Sequence, residues 1–258
     1  MISLYMKYHI VTYCSSGYAD CLRSTISSWL DNGEMEQILV YSDSAIDIGI
    51  KDTRVLINNI FVRPKIASTH YTNKAVAVLD AMQRIDNILM LDTDCLIVST
   101  PKQFFSRSFD VAPTLWGIDT NHIVTKDSFC GKRNKMWNDV SAGALFVHNT
   151  PSARVFIEEW VRVQNGLIKE KMFRGYISNN VDQKALTQIC RHAIDTGDIN
   201  IVAANARIFN NYPGTRYPRD MLKWINGVCT DTKILHLAHG IWDRKEVVDS
   251  VARMIYGK

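Results

Sequence analysis

The sequence lacks the features of membrane-spanning, glycosylated or zinc-binding chains. No apolar run approaches the roughly 20 residues that cross a bilayer, and Asn149-Thr150, followed by Pro151, offers no Asn-x-Ser/Thr acceptor. The cysteines form no Cys-x-x-Cys pair and are scattered at Cys14, Cys21, Cys95, Cys130, Cys190 and Cys229. We therefore expect reduced thiols, no signal peptide or membrane anchor in this chain, and a cytoplasmic location.

The chain also lacks a strong net charge. The net charge of +4 is spread along 258 residues, so no basic stripe for nucleic acid is expected. With 47% hydrophobic and 22% charged residues, the composition is that of a globular protein with a sizeable core. The oligomeric state is not predicted by any of these features.

Strand and helix patterns alternate along the chain, which predicts a mostly parallel α/β sheet flanked by helices. The predicted strands are 8–13, 37–41, 54–57, 88–91, 111–116, 143–148, 199–203 and 233–237. The predicted helices are 19–30, 73–84, 151–163 and 181–191. Because no linker, repeat or low-complexity tract divides the chain, we predict a single domain.

The most informative stretch is ILMLDTD, residues 88 to 94, in which a buried strand ends in two aspartates. Side chains two residues apart point to the same side of an extended segment, so Asp92 and Asp94 converge. Open α/β sheets bind ligands at this end of their strands. Two adjacent carboxylates favour a bound cation, and oxygen ligands suit Mn²⁺ or Mg²⁺. Such an ion in turn suits a diphosphate.

Other interpretations of this triplet exist. The aspartates could simply start a turn and cap backbone amides. An EF-hand is excluded, since Leu96 and Ile97 stand where that loop needs an acidic or amide residue and a glycine. Phosphatases that form an aspartyl-phosphate place Asp-x-Asp after their first strand, whereas here it follows about the fourth.

Leu91-Asp92-Thr93-Asp94 resembles the metal-binding Asp-x-Asp (DxD) motif of nucleotide-sugar glycosyltransferases with the GT-A fold. The likeness is to the glycogenin-like and galactosyltransferase families and related xylosyltransferases. Four further stretches agree with those families in order and approximate spacing: Thr72-Asn73-Lys74, Ser141-Ala142-Gly143, Val181-Asp182-Gln183 and Ile234-Leu235-His236. Together they cover most of the chain.

The resemblance implies a Rossmann-like GT-A sheet, with a nucleotide-binding half over about 1–98 and an acceptor-binding half over about 99–258. It also implies metal-dependent transfer from a UDP-sugar to a glycan or other hydroxyl acceptor, with retention of configuration. The implied metal ligands are Asp92, Asp94 and either His236 or His239. Asp182 and Gln183 would line the donor sugar and the reacting face. The implied donor-binding residues are Thr12, Tyr13, Cys14, Asp43, Lys74, Asp92, Thr93, Ser141, Ala142, Gly143, Gly240, Arg244 and Lys245.

Two departures from the family pattern bear on these assignments. Ser141 stands where the families have an asparagine that contacts the donor sugar. After His236 the glycine comes one residue late, at Gly240, and the lysine is displaced. Either histidine can therefore be the ligand, and Arg244 or Lys245 can serve the diphosphate.

Alternatives remain open at the level of sequence. His236 could be an ordinary core histidine, and a carboxylate such as Asp182 is favoured in the first helical turn without any function. An inverting enzyme would need a general base such as Asp182 or Asp139. Other candidate functions are a metal-dependent phosphatase or nucleotidyltransferase, and a nucleotide-sugar binder without activity.

Overall fold

A computed structural model describes residues 6–42, 44–59, 73–115, 140–173, 181–211, 231–237 and 249–253. The strands are β1 His9–Tyr13, β2 Ile38–Ser42, β3 Val55–Asn59, β4 Asn87–Leu91, β5 Cys95–Ile97, β6 Val111–Leu115, β7 Val140–His148, β8 Ala204–Asn205 and β9 Ile234–His236. The α-helices are α1 Ala19–Asn32, α2 Asn73–Ala81, α3 Pro151–Phe173, α4 Val181–Thr196 and α5 Ala206–Phe209. Short 3-10 helices cover Ser16–Tyr18 and Lys102–Ser106.

Seven strands form one mixed sheet in the order β3-β2-β1-β4-β7-β6-β8. Strands β3, β2, β1 and β4 are mutually parallel, β7 is antiparallel to both of its neighbours, and β8 is parallel to β6. Strands β5 and β9 form a separate antiparallel ribbon. The predicted α/β class with a mostly parallel central sheet is confirmed.

Helices cover both faces of the sheet because successive strand residues point to opposite sides. Val11 and Met90 belong to the core on the side of α2, α3 and α4, and their neighbours Ile10 and Leu89 belong to the core on the side of α1. Trp160 of α3 is fully buried on the first side. Burial of each such apolar side chain contributes about 1.5–3 kcal/mol. The prediction that residues 88–91 form a central strand covered on both faces is confirmed.

Some boundaries differ from the prediction. Strand β7 begins at Val140, three residues before the predicted start at Gly143, so Ser141 and Ala142 lie inside the strand rather than before it. Residues 199–203 were predicted as a strand, but that was wrong: Ile201 makes only an isolated bridge to Val111, and β8 follows at Ala204–Asn205. Among the described helices, none has the apolar length that a membrane crossing requires.

Candidate active site

The sequence motifs meet at the carboxyl ends of β1 and β4. These two strands are parallel neighbours, so the chain leaves both of them at the same edge of the sheet. The backbone N–H of Asp92 donates to the carbonyl of Gly143 at 3.0 Å, which ties the end of β4 to β7. This is the edge at which open α/β sheets bind ligands.

The ribbon of β5 and β9 brings His236 to the two aspartates. His236 pairs with Cys95 in the ribbon, and the N–H of Leu237 donates to the carbonyl of Asp94 at 2.9 Å. As a result, His236 Nε2 lies 3.1 Å from Asp94 Oδ1 and 3.6 Å from Asp92 Oδ2. The convergence of Asp92 and Asp94 that their spacing predicts is present, and the residue opposite them is His236.

Two helix starts add a buried ion-pair network. Lys74 in the first turn of α2 contacts Asp92 Oδ1 with its ammonium group, and its Nζ lies 3.2 Å from Asp182 Oδ2 in the first turn of α4. The side chains of Lys74 and Asp182 are only 9% and 7% exposed. Trp160 Nε1 donates to the carbonyl of Asp182 at 3.0 Å, which fixes the start of α4 against α3.

The proximity of these groups governs their protonation. Burial lowers the pKa of Lys74, but the charges of Asp92 and Asp182 outweigh burial and hold the pKa above its usual value. Burial raises the pKa of Asp92. Burial by itself raises the pKa of Asp94, but His236 and Lys74 together outweigh burial and lower it. Burial by itself lowers the pKa of the His236 imidazole, but Asp94 and Asp92 together outweigh burial and raise it.

The donor set fits a hard divalent cation. Three carboxylates and one ammonium leave two negative charges uncompensated when His236 is neutral. Carboxylate oxygens with one imidazole nitrogen suit Mn²⁺, and oxygen ligands suit Mg²⁺. Cys95 Sγ is also near Asp94 and His236. However, burial raises the pKa of this thiol well above its usual value, and Sγ is 3.6 Å from the Gly143 carbonyl, to which it donates.

No protein-family model and no curated protein matches the sequence. Solved structures do match. LgtC, a galactosyltransferase solved with donor and acceptor sugar analogues, has a TM-score of 0.54 at 12% identity over 94% of this chain and 95% of LgtC. The bifunctional glycosyltransferase WbbM, solved in its apo state, has a TM-score of 0.57 at 12% identity over 100% of this chain and 51% of WbbM. The glycosyltransferase GlyE of Streptococcus pneumoniae TIGR4 has a TM-score of 0.57 at 14% identity over 96% of this chain and 62% of GlyE.

These structures have the GT-A architecture, and the match to LgtC spans nearly the whole of both chains. The chain has the GT-A fold. The mixed sheet and the site at its edge are therefore parts of a GT-A fold.

Within this GT-A fold, the other predicted donor residues that the structure describes lie near the same edge. Thr12, Tyr13 and Cys14 form and follow the end of β1, and all three are buried. The carbonyl of Thr93 accepts from Thr25 Oγ1 at 2.9 Å. Ala142 is buried in β7, and Gln183 is half-buried beside Asp182. Six residues with predicted roles lie outside the described part of the chain, and those roles stay predictions: Asp43, Asp139, His239, Gly240, Arg244 and Lys245.

Asn210 is a residue of this site that the sequence analysis missed. Its amide lies in the interior, with Oδ1 at 2.8 Å from His236 Nδ1 and Nδ2 at 2.5 Å from Ser141 Oγ. In the sequence it appears only as the first of two adjacent asparagines, Asn210 and Asn211. Nothing in the sequence joins it to a histidine 26 residues later.

Gly143 is the position where the His236 ring comes closest to a strand backbone. A Cβ there would overlap the imidazole ring and lie 2.8 Å from Asn210 Oδ1. We expect Gly143→Ala to lower the free energy of unfolding by about 1–3 kcal/mol, because the ring and the amide must both shift. Urea denaturation measures this loss.

Gly166 in α3 provides the matched control, because a Cβ there would meet nothing within 4 Å. Since alanine is the better helix former, Gly166→Ala should leave stability unchanged or raise it by about 0.5–1 kcal/mol. Equal effects of the two substitutions would show that the His236 ring does not pack on Gly143 as described.

Proposed function

We propose that this protein is a metal-dependent glycosyltransferase that moves a sugar from a nucleoside-diphosphate sugar, with a uridine-based donor, to a hydroxyl of a glycan or other acceptor. The observation that carries the proposal is the meeting of Asp92, Asp94 and His236 at the ligand-binding edge of a GT-A sheet. The similarity to LgtC, solved with donor and acceptor sugar analogues, supports a sugar-nucleotide substrate.

In this proposal Asp92, Asp94 and His236 hold Mn²⁺ or Mg²⁺. When bound, such an ion acts as a Lewis acid toward the diphosphate that leaves as the glycosidic bond breaks. His236 is favoured over His239 as the third ligand because its Nε2 already lies 3.1 Å from Asp94 Oδ1.

In this proposal Lys74 holds the side chains of Asp92 and Asp182 in place. Its ammonium lies between Asp92 and Asp182, so it fixes the carboxylate of a metal ligand relative to the start of α4. Its predicted contact with the diphosphate remains a prediction. Asp182 and Gln183 would line the donor sugar.

Retention of configuration is also part of the proposal. Inversion would require a carboxylate free to take a proton from the acceptor hydroxyl. Asp182, one of the two candidates for that role, is buried and paired with Lys74 at 3.2 Å, which counts against a free base there. NMR of the product's anomeric signal measures the outcome.

Metal removal tests the proposed function most directly. We expect calorimetry to detect UDP binding in the presence of Mn²⁺, and EDTA to weaken it by at least about tenfold, or about 1.4 kcal/mol. The expected loss follows because three acidic side chains at the site repel a diphosphate unless a cation lies between them. Slow hydrolysis of a UDP-sugar in the same buffer then identifies the transferred sugar.

Other outcomes separate the alternative functions. Binding of UDP with Mn²⁺, but neither transfer nor hydrolysis of any UDP-sugar, would indicate a binding protein without activity. Turnover of a phosphate ester or nucleoside triphosphate without an acceptor sugar would indicate a phosphatase or nucleotidyltransferase. Binding of a guanosine but not a uridine diphosphate would change the donor class and leave the metal site in place.

A further inference from the structure

The amide of Asn210 joins His236 to two hydroxyl groups behind the proposed metal site. Asn210 is fully buried and follows the last residue of α5. One end of its amide is 2.8 Å from His236 Nδ1. The other end is 2.5 Å from Ser141 Oγ in β7 and 3.4 Å from Thr114 Oγ1 in β6.

The hydroxyl of Thr114 decides which way this amide faces. Thr114 Oγ1 lies 3.2 Å from the carbonyl of Ser141 and 3.1 Å from that of Ala144, and carbonyl oxygens only accept. The single hydroxyl proton of Thr114 is therefore donated to the backbone, so its oxygen accepts from Asn210. Ser141 Oγ likewise accepts from the N–H of Gly143 at 3.3 Å. The NH₂ group of Asn210 therefore faces the hydroxyls, and its carbonyl oxygen faces His236.

This orientation fixes the proton on the imidazole. Since Asn210 Oδ1 can only accept, His236 Nδ1 must carry a proton and donate it. The Nε2 atom then faces Asp94 Oδ1 at 3.1 Å, and its lone pair would be the one that a cation held between Nε2 and the aspartates uses. A histidine ligand needs this arrangement, in which the second ring nitrogen is held by a hydrogen-bond acceptor.

We propose that Asn210 is a positioning residue of the metal site, which holds His236 in the tautomer and orientation that present Nε2 to Asp92 and Asp94. Ser141 and Thr114 act one step further back by fixing the Asn210 amide. The inference rests on the proposed metal-dependent function. Asn210 has no exposed surface and therefore acts through His236 rather than on the substrate.

Two substitutions at position 210 separate positioning from simple packing. Asn210→Asp keeps an acceptor for His236 Nδ1 but loses the NH₂ group that donates to Ser141 and Thr114, whereas Asn210→Leu has a similar size and offers neither. We expect Asn210→Leu to bind Mn²⁺ about 10–100-fold more weakly than the unaltered protein, and Asn210→Asp to lose clearly less affinity than Asn210→Leu. Calorimetric titration with Mn²⁺ measures both. Ser141→Ala, which leaves Asn210 and Thr114 in place, should give a smaller loss in the same direction.

A second readout does not depend on metal. In metal-free protein labelled with ¹⁵N-histidine at mildly acidic pH, we expect a downfield, slowly exchanging Nδ1–H signal from His236. It should persist in Asn210→Asp and disappear in Asn210→Leu, with circular dichroism showing that each variant is folded.

Wild-type Mn²⁺ affinity in folded Asn210→Leu would overturn the inference, and so would equal losses of affinity in the Asp and Leu variants. Failure of the unaltered protein to bind Mn²⁺ would overturn both the proposed function and the link between Asn210 and metal. In that case the Nδ1–H signal still shows whether Asn210 holds the ring, so the two failures are distinguishable.

Discussion

Asp94→Asn is expected to lower kcat/KM for sugar transfer, or for slow hydrolysis of the donor, by about 100-fold or more at saturating Mn²⁺. A loss of about 3 kcal/mol of transition-state stabilisation corresponds to this factor. The substitution keeps the size of the side chain and removes the charge that lies 3.1 Å from His236 Nε2. Steady-state kinetics with a UDP-sugar, at several Mn²⁺ concentrations, measures the effect.

The matched control for Asp94→Asn is Asp52→Asn. Asp52 pairs with Arg54 at 2.8 Å just before β3, at the amino ends of the parallel strands and therefore at the opposite edge of the sheet from the site, and no contact with a site residue is seen in the described part of the chain. Its loss should leave kcat/KM unchanged. If Asp94→Asn retained full turnover and full dependence on Mn²⁺, Asp94 would not be a metal ligand and the proposed site would be wrong.

The sequence predicted the centre of the site because its signals are local. An apolar run that ends in Asp92-Thr93-Asp94 identifies a buried strand and the ligand-binding edge at once. The first-turn positions of Lys74 and Asp182 were also predicted from their helices. Their mutual contact was not, because 108 residues separate them and only the packing of α2 and α4 against α3 brings them together.

The contacts behind His236 were beyond prediction for a related reason. Asn210, Ser141 and Thr114 come from three separate elements, and the register between β6 and β7 shifts between Pro113 and Thr114. No periodic pattern in a single sequence reports such a shift. The early start of β7 at Val140 was missed because small and polar residues, Ser141 and Gly143, interrupt its apolar alternation.

These contacts give Ser141 a role different from the one suggested by family resemblance. In the resembling families an asparagine at this place contacts the donor sugar, and its replacement by serine suggested a lost amide. In the structure the Ser141 hydroxyl accepts from the Asn210 amide at 2.5 Å. The Asn210 amide thus lies beside β7, where it contacts His236 rather than the solvent side of the site. The predicted contact of Ser141 with donor remains to be tested.

Lys74→Met is expected to lower the free energy of unfolding by about 3–5 kcal/mol, measured by urea denaturation in the presence of EDTA. The substitution leaves Asp92 and Asp182 buried without the ammonium that now lies between them. Leaving a buried carboxylate without its partner lowers the free energy of unfolding far more than breaking an exposed ion pair does. Lys102→Met removes a more exposed pair, with Glu34 at 3.6 Å, and should cost less than about 1 kcal/mol.

A double substitution and added metal identify the cause of that loss. Lys74→Met with Asp182→Asn should recover part of the stability, because one of the two unpaired carboxylates becomes neutral. Mn²⁺ should also stabilise Lys74→Met more than it stabilises the unaltered protein, since it supplies positive charge beside Asp92. If Lys74→Met unfolds at the same urea concentration as Lys102→Met, the Lys74 ammonium does not hold these carboxylates together. Contacts other than the one with Lys74 would then have to hold the Asp92 and Asp182 side chains in place.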